Sequence, residues 1–190
     1  GGNGSIVLRT TNGTITLNDG TATADDTAIS ANGTGNVLIQ ALGAATDIVV
    51  NADIVSGSGN VSVLAGQSVS FTGTADIRTT SAGAASGSID VVAGTGSITQ
   101  SATSVFLSTG ATAQARLLAA TDVTVGDIEL VLGKVSVTAK AGSVLDADAL
   151  VSGANDGSQE ITASGPRLFA GTAIGDATNH IETTVGTLSA

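Results

Sequence analysis

The sequence predicts an all-β chain, a right-handed parallel β-helix (a β-solenoid) of about seven coils of roughly 25 residues with three short strands per coil. Three observations predict it. A seven-residue line recurs as Gly35-Asn36-Val37-Leu38-Ile39-Gln40-Ala41, Gly59-Asn60-Val61-Ser62-Val63-Leu64-Ala65, Gly87-Ser88-Ile89-Asp90-Val91-Val92-Ala93 and Gly133-Lys134-Val135-Ser136-Val137-Thr138-Ala139, with a looser copy at Gly4-Ser5-Ile6-Val7-Leu8-Arg9-Thr10. Two further apolar columns keep step with that line. Hydrophobic residues make up 42% of the chain but aromatics only 2%, which suits thin layers of Val, Ile, Leu and Ala better than a large globular core.

In the repeated line, positions three, five and seven are apolar or small, and alternation of this kind puts them on one face of a strand. The first column is therefore Ile6, Val37, Val61, Ile89, Ala115, Val135 and Gln159, using degenerate copies of the line at Ala113–Ala119 and Gly157–Ala163. The second column is Ile15, Ile48, Val69, Ile98, Val123, Val144 and Leu168, each 8 to 11 residues after the first behind a polar or glycine corner. The third is Ile29, Ile54, Ile77, Val105, Ile128, Leu150 and Ile174, and it often follows an aspartate, as in Asp53-Ile54, Asp76-Ile77 and Asp127-Ile128. Asp47, Asp53, Asp76, Asp122 and Asp127 all precede inward residues, a position that suits a carboxylate capping backbone N–H groups. Loop inserts near 18–27 and 80–86 absorb the variation in coil length. Pro166 is expected at a corner, where a missing N–H costs little. No helix is expected, and right-handed winding follows from the strong bias of parallel crossovers.

Composition narrows the function. The mean hydropathy of +0.38 indicates a chain that folds. The net charge is −10, and the six basic residues (Arg9, Arg78, Arg116, Lys134, Lys140, Arg167) are scattered singly. No basic patch is present to neutralise phosphates, which argues against nucleic acid as a partner. Without Cys there are neither disulfides nor thiolate metal sites. No apolar run approaches the roughly 18 residues of a membrane helix, and a chain without Trp or Tyr lacks the aromatic girdles of an outer-membrane barrel. With no Met and Gly at position 1, residues 1–190 read as one continuous solenoid segment of a longer or processed chain.

The stretch Ala173-Ile174-Gly175-Asp176-Ala177-Thr178-Asn179-His180-Ile181-Glu182-Thr183-Thr184-Val185-Gly186-Thr187-Leu188-Ser189-Ala190 resembles a line that recurs in giant bacterial exoproteins of the filamentous-haemagglutinin type. With the Gly-Asn-Val lines, the resemblance spans most of the chain. It implies a right-handed parallel β-helical shaft, exported and either displayed at the bacterial cell surface or released, and used in adhesion or biofilm contact. The resemblance implies no catalytic residues and no cofactor in the shaft.

The residues suggest little other chemistry. Asp25-Asp26 and Asp146/Asp148 are acidic pairs of the kind that serve as carboxylate dyads or calcium ligands, but they also suit solvated turns. Asp146, Asp148, Asn155 and Asp156 are the candidate calcium ligands, because their oxygens are what Ca²⁺ takes. His180 is the single histidine and reads as a polar loop residue, with no second His or Cys to complete a zinc site. The glycines at Gly33-Thr34-Gly35 and Gly94-Thr95-Gly96 lack the following helix of a phosphate cradle. Thr-x-Thr pairs at Thr14/Thr16, Thr21/Thr23 and Thr72/Thr74 fall at unrelated coil positions, unlike an ice-binding array. No catalytic or cofactor-binding residue is expected. The expected function is a non-catalytic structural shaft of a secreted or surface adhesin. Its partners would be neighbouring coils of the parent chain, further copies of itself or a surface ligand, with no nucleic acid and no membrane insertion. The alternatives are an extracellular filament subunit stacked end to end and a carbohydrate-binding or carbohydrate-modifying β-helix.

Overall fold

The computed structural model describes residues 3–20, 25–80, 87–148 and 158–186. Among them there is no helix, and the strands pair in parallel within two sheets. β1 (Ile6–Thr10), β2 (Ile15–Leu17) and β3 (Thr27–Ala31) form the first triplet. The pattern recurs in β4 (Val37–Ala41), β5 (Ile48–Val50) and β6 (Asp53–Ser56), then in β7 (Val61–Ala65), β8 (Val69–Phe71) and β9 (Ile77–Thr79), and again in β10 (Ile89–Ala93), β11 (Ile98–Thr99) and β12 (Val105–Ser108). After β13 (Gln114–Ala119) and β14 (Val123–Val125), the long β15 (Asp127–Ala139) runs straight through what had been two strands. β16 (Val144–Asp146), a second double strand β17 (Ile161–Ala170) and β18 (Thr183–Val185) complete the order.

The pairing produces three ladders. In the first, Ile6 faces Val37, Val37 faces Val61, Val61 faces Ile89, Ile89 faces Ala115 and Ala115 faces Val135. In the second, Ile15, Ile48, Val69, Ile98, Val123 and Val144 follow one another, and these strands make the smaller sheet. In the third, Ile29, Ile54, Ile77, Phe106 and Ile128 stack. The first and third ladders form one large sheet because β15 and β17 belong to both. Nearly all inward residues are fully buried, from Val37, Ile39 and Ala41 to Val135, Val137 and Ala139. Burial of each such aliphatic side chain is worth roughly 1.5–3 kcal/mol.

The glycine that opens each repeated line has a steric cause. A Cβ on Gly35, Gly59 or Gly87 would collide with the carbonyl of Gly4, Gly35 or Gly59 in the preceding repeat. Buried hydroxyls bind the same glycines: Ser56 Oγ donates to Gly35 O at 2.8 Å, and both Thr79 and Ser108 donate to Gly87 O at 2.9 Å. The next position carries a polar ladder. Ser5 Oγ accepts the N–H of Asn36, Asn36 Oδ1 that of Asn60, Asn60 Oδ1 that of Ser88, and Ser88 Oγ that of Gln114. Each side chain thus satisfies a donor one repeat later, where a strand begins and the ladder bonds have not yet started.

Several expected positions are corrected. The third column takes Phe106, not Val105. Asp76 Oδ1 accepts the Val105 N–H at 2.6 Å, which places Val105 at the outward capping position, and a one-residue shift turns every side chain to the other face. Phe106 then packs edge-on against Phe71, with centroids 4.7 Å apart at 71°, so two of the three phenylalanines are core residues. The last register also differs. Ile161 faces Ile128 in the third ladder, Leu168 faces Val137 in the first, and Ile174 bridges Val144 in the second. Gln159 therefore does not open a first-ladder strand. Pro166 is not at a corner: it lies within β17 opposite Val135, while β18 covers only Ile161–Ala163, so the proline sits where the strand is an edge among the described residues. Between Leu130 and Lys134 the register slips, and Val131 and Leu132 bulge outward, 65% and 60% exposed. Leu150 and most of the expected inserts, 21–24 and 81–86, lie outside the described residues.

Candidate functional site

Four of the five aspartates expected to cap strand starts do so across repeats. Asp47 Oδ1 accepts the Ser68 N–H, Asp53 Oδ1 that of Asp76, Asp76 Oδ1 that of Val105, and Asp122 Oδ1 that of Ser143. The fifth, Asp127, lies beside Glu129 on the outer side of β15. Burial, followed by the neighbouring Glu129 carboxylate, pushes its carboxyl up to about 7.

The third ladder continues this capping position beyond the aspartates. Ile128 faces Ile161, and Ile161 faces Thr183, so Glu160 and Glu182 occupy the place that Asp53, Asp76 and Asp127 hold in earlier repeats. Glu160 behaves accordingly: its Oε2 accepts the N–H of Glu182. An acidic column therefore runs along this corner of the molecule. At one end Arg78 neutralises it, bonded to Asp76 through Nε at 2.9 Å and lying 3.7 Å from Asp53. At the other end the described ion pairs include no Lys or Arg partner for Glu160 or Glu182.

A third carboxylate meets them there. Asp146 ends β16 and faces Val125, so this half-buried residue takes the position that Val50, Phe71, Gln100 and Val125 fill in earlier repeats. One oxygen each from Asp146, Glu160 and Glu182 lies within 4.8 Å of the other two. Glu160 is only 2% exposed. Its Oε1 and the Oε2 of Glu182 are buried without a hydrogen-bond partner. Burial, the facing Glu182 carboxyl and the charge of Asp146 together push the Glu160 carboxyl up to about 8. Three acceptor-only groups with hard oxygens can be reconciled in the interior by a shared proton or by a cation.

The expected calcium set is thus only partly assembled. Asp146 belongs to the cluster, and Asp148 contributes its backbone N–H to Asp146 Oδ1 at 2.7 Å. Asn155 and Asp156 lie outside the described residues. Sequence reasoning missed Glu160 and Glu182, although Glu160-Ile161 repeats the acidic-Ile pairing of Asp53-Ile54, Asp76-Ile77 and Asp127-Ile128. The other acidic pair is a turn: Asp25 Oδ1 accepts the Thr27 N–H, and Asp26, at φ 56°, accepts the Thr74 hydroxyl. His180 is an exposed residue. Comparison with family models, with curated proteins and with solved structures gives no match.

Proposed function

We propose that the chain is a right-handed parallel β-helix of about seven coils and serves as a non-catalytic shaft segment of a secreted or surface-displayed bacterial adhesin. The observation that carries this reading is the axial register. Each ladder adds one equivalent strand per repeat, and the glycine, asparagine and aspartate ladders repeat with it, so the chain builds length. The resemblance of residues 173–190 to filamentous-haemagglutinin-type exoproteins supports placement at the cell surface. Beads coated with the purified chain should adhere to host cells, matrix or biofilm more than beads coated with an inert protein of similar charge. Turnover of plant or bacterial polysaccharide that disappeared in Asp146→Asn would overturn the non-catalytic reading.

A second reading has its own observation. Leu8 faces the fully buried Ile39 in register, yet it is 40% exposed, and Val7 is 65% exposed. Among the described residues β1 thus presents an open strand edge with an uncovered apolar layer, a template for another copy. Repeated head-to-tail stacking generates a filament. Electron micrographs across a concentration series test it: short particles at every concentration refute self-assembly.

A further inference from the structure

We propose that Asp146, Glu160 and Glu182 bind one calcium ion between the last repeats, and that this ion takes the neutralising place that Arg78 holds at the other end of the acidic column. Four observations converge on it.

The donor set is three carboxylates with no nitrogen or sulfur, which suits a hard cation. Glu160 is almost completely buried against the Glu182 carboxyl, and its Oε1 and the Oε2 of Glu182 are buried without a hydrogen-bond donor among the described residues. A buried carboxylate oxygen facing another carboxylate oxygen is repulsive unless something positive lies between them. The spacing also fits. Oxygens that share one Ca²⁺ at about 2.3–2.6 Å lie at most about 5 Å apart, and these three lie within 4.8 Å of one another.

The fourth observation is comparative and internal to the chain. Asp53 and Asp76 form the same column with the same capping geometry, and there the charge is met by a guanidinium. Asp146 stands in a column that is apolar at Leu17, Val50, Phe71 and Val125 and polar but uncharged at the buried Gln100, so it is the member that brings a charge to this position. Capping accounts for Glu160 Oε2, which takes the Glu182 N–H, and for Asp146 Oδ1, which takes the Asp148 N–H, but not for the convergence of the three carboxylates. A ligand role accounts for all three. Bound between β16 and the starts of β17 and β18, the ion would tie the second ladder to the third where β18 covers only three residues of β17.

The test uses the full chain stripped of divalent ions with EGTA. Isothermal titration with CaCl₂ should give one site per chain. At about a hundredfold excess of Ca²⁺ over its dissociation constant, the melting midpoint by circular dichroism should rise by about 5–10 °C, and matched NaCl should not reproduce the rise. Glu182→Gln should weaken calcium binding at least tenfold. Glu160→Gln should do the same while melting, in EGTA, at or above the wild-type temperature, because the amide keeps the side chain's shape and offers N–H donors to the facing Glu182 carboxylate. If Glu160→Gln does not fold, Glu182→Gln carries the test. Absence of calcium binding by the wild-type chain at millimolar Ca²⁺, or undiminished binding by Glu182→Gln, overturns the site.

Discussion

Gly59→Ala separates close approach from ordinary glycine effects. Gly59 is not among the described glycines with left-handed φ, which are Gly33, Gly73 and Gly175, so alanine suits its backbone. The added methyl would overlap the Gly35 carbonyl and stand 2.8 Å from Ser56 Oγ. Carbon contacts are favourable at about 3.5–4 Å, so the two repeats must move apart by on the order of 1 Å against a ladder spacing of about 4.8 Å. That displacement strains two buried bonds, Ser56 Oγ to Gly35 O at 2.8 Å and Gly59 N to Ser56 Oγ at 3.1 Å. Overpacking costs about 1–3 kcal/mol and a compromised buried hydrogen bond about 1 kcal/mol, while alanine recovers about 0.4–1 kcal/mol by restricting the unfolded chain. The net expectation is about 3 kcal/mol of destabilisation, or a fall in melting midpoint of about 6–12 °C. Gly165→Ala is the control, since its Cβ would meet nothing within 4 Å, and it should leave the midpoint unchanged or raise it. Urea titrations of both variants followed by circular dichroism give the comparison. Equal midpoints for the two variants would refute the argument that inter-repeat contact selects the glycine.

Phe106→Ala should cost about 3–5 kcal/mol in urea denaturation, because a fully buried ring with an aromatic neighbour is removed and the ladder on either side holds the cavity open. Arg116 binds Asp90 through Nε at 2.7 Å and Nη2 at 2.8 Å on an exposed face, so a double-mutant cycle with Ala at both positions should give less than about 1 kcal/mol, and less still in 1 M NaCl. Asp127 binds its proton more tightly folded than unfolded, so its contribution to stability is complete below about pH 4 and is lost as the pH rises through about 7. Discounted for its partial exposure, the loss is on the order of 1 kcal/mol, and Asp127→Asn should make the fall of the urea midpoint between pH 4 and 7.5 shallower, leaving the part that Glu160 contributes.

Much of this architecture was legible because its causes are local and recur. Gly-x-Val-x-Val-x-Ala encodes a close approach, an outward cap and three inward residues in seven positions, and each copy reinforces the register of the others. The second ladder was legible through Val144 for the same reason. Reading failed where the corner disappeared. In β15 and β17 one strand runs from the third ladder into the first without a turn, and Pro166, between Gly165 and Arg167, reads as a corner that the chain does not make. Val105 and Phe106 are both apolar, so composition does not separate them; the Asp76 cap on the Val105 N–H, from 29 residues away in sequence, goes with Phe106 facing inward.

The same misplacement concealed the acidic cluster. Once Gln159 is set at the head of a first-ladder strand, Glu160 becomes an outward surface residue and Glu182 an ordinary member of a terminal motif. With Ile161 facing Ile128, both glutamates join the capping column, and the column's charge becomes a question of balance. At Asp53 and Asp76 it is balanced by Arg78. At Glu160 and Glu182 the chain places a further carboxylate, Asp146, from the interior side. Stability alone favours an uncharged residue there, as at Val50, Gln100 and Val125, since a further half-buried carboxylate beside Glu160 and Glu182 is repulsive unless it is compensated. Specific chemistry in this chain is therefore best sought where the capping column, at Glu160 and Glu182, meets a further carboxylate from β16.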